Sequence, residues 1–185
     1  NIMLLKLIQA HVEETDTDAY FVYLDMEKAF DRCSWDFLIP AMREIGFGDD
    51  FISYIELAYS QENAPSRRLH VNGYLGPSFR IRSGVAQGCP ISPLLFLLIT
   101  EPLSRLFLDH PTLKGVRING VRFTISQFAD DSTLILAPGD EADADDALAV
   151  WQDATCMSEN AGKREGQLLA KLNRERHRAP TGVIA

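Results

Sequence analysis

The chain has 185 residues, 46% of them hydrophobic and 24% charged, with a net charge of −8. That suits one globular domain or slightly more, with a sizeable core, and it excludes a membrane-spanning chain, since the apolar run Leu94 to Ile99 is short and soon followed by Glu101. The acidic balance argues against a self-sufficient duplex binder, because nucleic-acid affinity comes mainly from phosphate neutralisation.

In chain order, residues 2–13 read as an amphipathic helix, with Ile2, Leu5, Ile8 and Val12 at helical spacing. A first residue other than Met, inside such a pattern, is what a fragment would show, and no signal peptide is read there. After an acidic turn, Ala19 to Leu24 is apolar on both faces, as in a buried central strand, and it ends at Asp25. Phe30 lies five residues on; it could be core, the usual fate of Phe, or the floor of a nucleotide pocket. Ser34 predicts an N-cap for a helix bearing Trp35, Leu38, Met42 and Ile45, with Pro40 bending or shortening it and Gly46 stopping it. Asp49 or Asp50 should cap a second helix. Arg67 to Val71 and Ser78 to Arg82 read as strands joined by Asn72-Gly73 and Gly76-Pro77. Their cations Arg67, Arg68, Arg80 and Arg82 either contact a nucleic-acid template or simply solvate a hairpin face.

Gly84 to Pro93 reads as a flexible loop opening a helix, with Ser92 as N-cap and Pro93 at the first helical position. That helix, Leu94 to about Leu108, is apolar nearly all round at first, which predicts deep burial; Pro102 should kink it. Val121 to Leu136 predicts a β-hairpin whose tip carries Asp130 and Asp131. Pro138 to Asp146 is an acidic loop, and Ala147 to Met157 a helix with Leu148, Trp151 and Ala154 on one face. Residues 161–185 hold six Lys and Arg against two Glu, leaving 12 basic and 24 acidic groups elsewhere. Cys33, Cys89 and Cys156 have no ligand or redox spacing and read as reduced thiols of an intracellular protein. The four His, at 11, 70, 110 and 177, pair into no motif and read as structural or surface residues. This order predicts an α+β fold, an antiparallel sheet with helices packed on one face.

Paired acids at a turn are commonly solvated, and a lone Asp after a strand can cap the next helix. Asp25, Asp130 and Asp131 at neighbouring strand ends would instead form a carboxylate cluster that needs cations. Hard oxygen ligands favour Mg²⁺ or Mn²⁺, as in two-metal phosphoryl transfer.

Three stretches, FVYLDMEKAFDR (21–32), SGVAQGCPISPLLFLL (83–98) and QFADDSTLIL (127–136), resemble in order and spacing motifs A, B and C of the reverse transcriptase palm, closest to non-LTR (LINE-type) retrotransposons. The resemblance implies an RNA-directed DNA polymerase that adds dNTPs to a DNA primer on an RNA template. It implies two Mg²⁺ ions, replaceable by Mn²⁺, held by Asp25, Asp130, Asp131 and the Met26 carbonyl. It makes Phe30 the gate against a ribose 2′-hydroxyl, sets Gln87 and Gly88 at the nucleotide and template, and puts Ala129 beside the primer end. Ser158 to Lys163 resembles motif D, with Lys163 as general acid or phosphate neutraliser, although Cys156 stands where Gly is usual. The implied organisation is a palm over 1–172 and a basic, disordered tail over 173–185. Fingers motifs, thumb and endonuclease would lie elsewhere in a longer polyprotein, and no membrane partner is implied.

One rival is an inactive or repurposed palm acting as a protein-interaction module, which the low pI favours. A nucleotide cyclase is another, but the Gln87-Gly88 loop and Phe30 argue against it. A purely structural α+β domain would leave the three acids and the Gly-rich loop unexplained.

Overall fold

A computed structural model describes residues 2–169; the tail expected over 173–185 and the last residues of the expected palm range lie outside them. The described residues divide into two compact units, one made by residues 2–27, 100–153 and 157–169, the other by 28–99 and 154–156.

The first unit is built on strand β1 (Ala19–Leu24), the run read as a central strand. It pairs antiparallel with β7 (Asp131–Leu136) on one side and β8 (Glu165–Leu169) on the other. With β6 (Ile125–Phe128) the order is β6-β7-β1-β8. Helix α1 (Ile2–Thr15) closes a core of Ile8 and Val12 against Phe21, Ile135 and Leu169. Each such buried side chain contributes roughly 1.5–3 kcal/mol. Val22 and Leu24, alternating with Phe21 along β1, are also buried. Ile2, at helical spacing with that core, is instead 71% exposed at the start of α1.

Three expectations change in this unit. The long strand expected from Val121 to Phe128 is split: β5 (Val121–Phe123) pairs with β4 (Val116–Ile118) across an Asn119-Gly120 turn, and β6 begins at Ile125. Thr124 marks the break, its hydroxyl donating to the Phe107 carbonyl at 3.0 Å. The acidic loop is mostly helix, because α6 runs from Glu141 to Thr155, and acids in a first turn suit the helix dipole. Its buried face uses Ala144, Ala147, Leu148 and Trp151, while Ala154 is exposed. Strand β8 was not foreseen, since GQLL alternates too weakly to read as a strand.

In the second unit, α2 (Ala29–Arg32) leads to α3 (Trp35–Ile45), where the Ser34 hydroxyl accepts from the Phe37 N–H and Gly46 ends the helix at φ +96°. Pro40 neither stops nor shortens α3. Helix α4 (Asp49–Ala58) is capped by Gly48, and Asp49 and Asp50 are its first-turn acids. Strands β2 (Ser66–Val71) and β3 (Tyr74–Arg80) form a separate two-stranded ribbon. Both residues of its Asn72-Gly73 turn have positive φ, as a two-residue hairpin loop needs; Gly76-Pro77 falls inside β3 at a bulge. Helix α5 (Ser92–Asp109) runs unbroken through Pro102. Leu94 and Leu97 are 50% and 49% exposed, so its first turns are not buried all round. Among the described residues, no helix is long and apolar enough to cross a membrane.

Candidate active site

Asp25 follows the last residue of β1, just beyond the Leu24↔Ser132 pair. Continuing that register brings it opposite Asp131. Asp130 and Asp131 sit at the β6–β7 turn, closed by the Phe128↔Asp131 pair. Strand pairing thus delivers all three acids to one end of one sheet. The turn is braced across the hairpin, where Gln127 Nε2 donates to Ser132 Oγ at 3.0 Å and the Ser104 hydroxyl donates to Gln127 Oε1. Ala129 holds a left-handed φ of +55°, a conformation costly for a residue with a Cβ.

The Asp25 backbone is fixed by a pairing the sequence did not reveal. Asn160 N–H donates to the Asp25 carbonyl and Glu27 N–H to the Ser158 carbonyl, each at 2.8 Å. These bonds flank the Met26–Glu159 bridge and do not use the Met26 carbonyl. They set the motif D stretch beside motif A, and Lys163 Nζ reaches Asp25 Oδ2 at 3.0 Å. Both side chains of that pair stay well exposed. Arg164 clamps the same stretch by bridging Glu159 and Asp145. Burial pushes the Glu159 carboxyl above the usual carboxylate range, with Arg164 opposing and Asp145 reinforcing the shift.

Among the described residues, no group of three or more His, Cys, Asp or Glu stands ready to hold a metal ion. Asp25 has an ammonium partner, whereas no ion pair among the described residues engages Asp130 or Asp131. The donor set is all carboxylate and carbonyl oxygen, the chemistry of a hard divalent cation.

The other expected site residues lie in the second unit. Phe30 is half-buried in α2 and stacks on Phe96 with ring centroids 4.9 Å apart, so it serves the core at least in part. Its carbonyl accepts from Val85 N–H, while Gly84 N–H donates to the Cys33 carbonyl, both at 2.8 Å. Trp35 Nε1 donates to the Gly84 carbonyl at 2.8 Å, and a Cβ on Gly84 would stand 2.8 Å from the Asp31 carbonyl oxygen. The end of motif A and the start of motif B are therefore stitched together backbone to backbone. Beyond the stitch, Gln87 and Gly88 are exposed, and Gly88 has φ +84° with open space at its Cβ position. Ser92 is buried as the first residue of α5, and its hydroxyl caps no helical N–H.

The chain is 29% identical over 175 residues to the transposon TX1 uncharacterized 149 kDa protein of Xenopus laevis, covering 93% of this chain and 13% of that protein. It is 28% identical over 134 residues to the retrovirus-related Pol polyprotein from type-2 retrotransposable element R2DM of Drosophila melanogaster, 72% of this chain and 12% of that protein. A Pol polyprotein from type-1 retrotransposable element R2 of Popillia japonica is 35% identical over 134 residues, 69% of this chain and 20% of that protein. The chain thus spans a small part of the relatives it matches. Its fold is similar to that of apo telomerase from Candida tropicalis, with a TM-score of 0.58 at 14% identity over 88% of this chain and 33% of that one. The family model for reverse transcriptase (RNA-dependent DNA polymerase) matches residues 2–160, and the chain belongs to that family, as a domain of the non-LTR retrotransposon type.

Proposed function

We propose that this chain carries the polymerising centre of a retrotransposon polyprotein and adds dNTPs to a DNA primer 3′-hydroxyl on an RNA template. The observation that supports this most is the delivery of Asp25, Asp130 and Asp131 to one end of a single antiparallel sheet. In this reading the three carboxylates and the Met26 carbonyl hold two Mg²⁺ ions, for which Mn²⁺ substitutes. Such ions, when bound, supply Lewis-acid activation of the attacking oxygen and charge neutralisation at the leaving pyrophosphate.

The chain's own residues then do the positioning, which carries most of the acceleration in phosphoryl transfer. Phe30 excludes a ribose 2′-hydroxyl by bulk. Gln87 meets the nucleotide and template, and Gly88, lacking a Cβ, lets backbone approach them closely. Ala129 lies at the primer end. Lys163 leaves Asp25 and brings a proton or positive charge to the pyrophosphate. Fingers, thumb and endonuclease regions come from the rest of the polyprotein, working inside the cell.

Calorimetric titration of Mn²⁺, with and without a dNTP, tests the centre in the wild type and in Asp130→Asn/Asp131→Asn. Binding that needs the nucleotide and vanishes in the variant supports it. Silence in this chain and in one extended upstream would overturn it, in favour of a palm retained for protein interaction.

A further inference from the structure

The β2–β3 ribbon has two chemically different faces. Its pairs are Ser66↔Arg80, Arg67↔Phe79 and Arg68↔Ser78, then His70↔Leu75 and Val71↔Tyr74. Between Arg68 and His70 the partner strand spends one residue more, so Gly76 and Pro77 together oppose Leu69. A bulge of this kind keeps alternation intact on the regular strand. Arg68, His70, Arg80, Ser66 and Ser78 therefore share one face, with Leu75 at its turn end. Leu69, Val71, Tyr74 and Phe79, with Arg67, share the other. The bulge re-phases only the Leu75 and Tyr74 end of β3, since Arg68 and Arg80 both lie on its other side.

The charge on this ribbon runs against the rest of the chain. Residues 63–83 hold Arg67, Arg68, Arg80 and Arg82 and no acid, in a chain of net charge −8. All four arginines are exposed, and no ion pair among the described residues engages them. Arginine in a sheet edge usually guards against aggregation, but guarding needs no hydroxyls and no sorting by face. Arginines flanked by serine hydroxyls are the groups that contact phosphate oxygens.

We propose that the face bearing Arg68 and Arg80 binds the sugar-phosphate backbone of an RNA strand. Identifying that strand as the template rests on the proposed polymerase function; the binding itself does not. Charge complementarity selects this occupant, since the face offers fixed cations and hydroxyl donors and a polyanion needs both.

The test is fluorescence anisotropy with a labelled single-stranded RNA, titrated over a series of salt concentrations. The wild type is compared with Arg68→Ala/Arg80→Ala and with Tyr74→Ser/Phe79→Ser on the opposite face, all checked for folding by circular dichroism. Each lost phosphate contact on a single strand lowers the slope of log K against log salt by about 0.7, so the arginine variant should lose about 1.4. The basic residues beyond 169 contribute equally to all three proteins and cancel in that difference. An unchanged slope in the arginine variant, no RNA binding by the wild type at low salt, or a loss confined to the Tyr74/Phe79 variant would each overturn the assignment. Primer extension by Asp130→Asn/Asp131→Asn separates the two proposals: that variant should keep the wild-type RNA slope while losing extension. If the wild type binds RNA through Arg68 and Arg80 yet neither it nor a chain extended upstream ever extends a primer, the polymerase reading fails and this one stands.

Discussion

Asp140 is a buried carboxylate that the sequence presents as one acid among five, and replacing it should damage the first unit more than most surface changes. Its side chain is 1% exposed. It accepts from Lys114 N–H at 3.0 and 3.1 Å, from Gly115 N–H at 2.8 Å and from Ala137 N–H at 2.9 Å. It therefore ties the segment before β4 to the end of β7, just ahead of α6. A hydrogen bond to a charged group contributes about 1.5–3 kcal/mol net, so three donors give a gross loss of about 4.5–9 kcal/mol. Asp140→Ala also removes the cost of burying a carboxylate, several kcal/mol, and admits water to the vacated space. We expect a net loss of about 3–5 kcal/mol. Asp140→Asn keeps one acceptor oxygen and should lose about half of that. Urea unfolding followed by circular dichroism measures both; with an m-value of about 2 kcal/mol/M, the Ala variant should lower the midpoint by about 2 M. A loss under about 1 kcal/mol for Asp140→Ala would show that these N–H groups find other partners, and the reasoning would fail.

Other consequences are equally open to measurement. Gly84→Ala sets a Cβ against the Asp31 backbone at φ +91° and should cost at least about 2 kcal/mol, read as a lowered thermal midpoint; a stability equal to wild type refutes the stitch between motifs A and B. Lys163→Ala removes a cation that competes for Asp25, so Mn²⁺ affinity at low salt should rise while stability changes by less than about 1 kcal/mol; weaker Mn²⁺ binding contradicts this. Burial pushes the Cys33 thiol up to about 12, whereas a hydrogen bond from the Ile91 backbone N–H, helped by the Ser92 and Tyr59 hydroxyls, pulls the Cys89 thiol down. The thiolate is the reactive form, so iodoacetamide near neutral pH should label Cys89 and spare Cys33 until the chain unfolds. Mass spectrometry showing both labelled at equal rates would refute the contrast. Ala129→Gly should raise stability by up to about 1 kcal/mol, as relief of left-handed strain offsets the added chain entropy, and a urea midpoint below wild type would argue that Ala129 is unstrained.

What could be read in advance follows from where the information sits. The bounds of β1 were legible because a doubly buried strand needs an unbroken apolar run, and Ala19 to Leu24 is one. The Ser34 cap and the Gly46 stop were legible because each acts through its own neighbours. Strand β8 was not, because Glu165 to Leu169 becomes a strand only when β1 offers it an open edge. The split at Thr124 depends on a carbonyl 17 residues upstream, and Asp140 on donors 26 and 25 residues upstream. Asp25 and the Asp130-Asp131 pair could be singled out separately, but the Asn160 bond that fixes Asp25 is a long-range fact. Local chemistry can be read along a chain, whereas a partner that arrives through the fold cannot.

The backbone carries its own pointer to the site. Among the described residues, six other than Gly have positive φ: Asp16, Lys28, Asn72, Asn119, Ala129 and Cys156. Asn72 and Asn119 precede Gly in two-residue hairpin turns, and Asn and Asp tolerate this conformation. Lys28, Ala129 and Cys156 have no such excuse. Lys28 comes three residues after Asp25, Ala129 immediately before Asp130, and Cys156 two residues before the stretch that pairs with Asp25. Strained residues of this kind persist only where the surrounding structure over-determines them. At Cys156 the sequence departs from the glycine usual for the family, yet the backbone keeps the glycine-like conformation. The fold thus holds the Ser158 to Lys163 stretch against Asp25 despite the cost of a Cβ at Cys156.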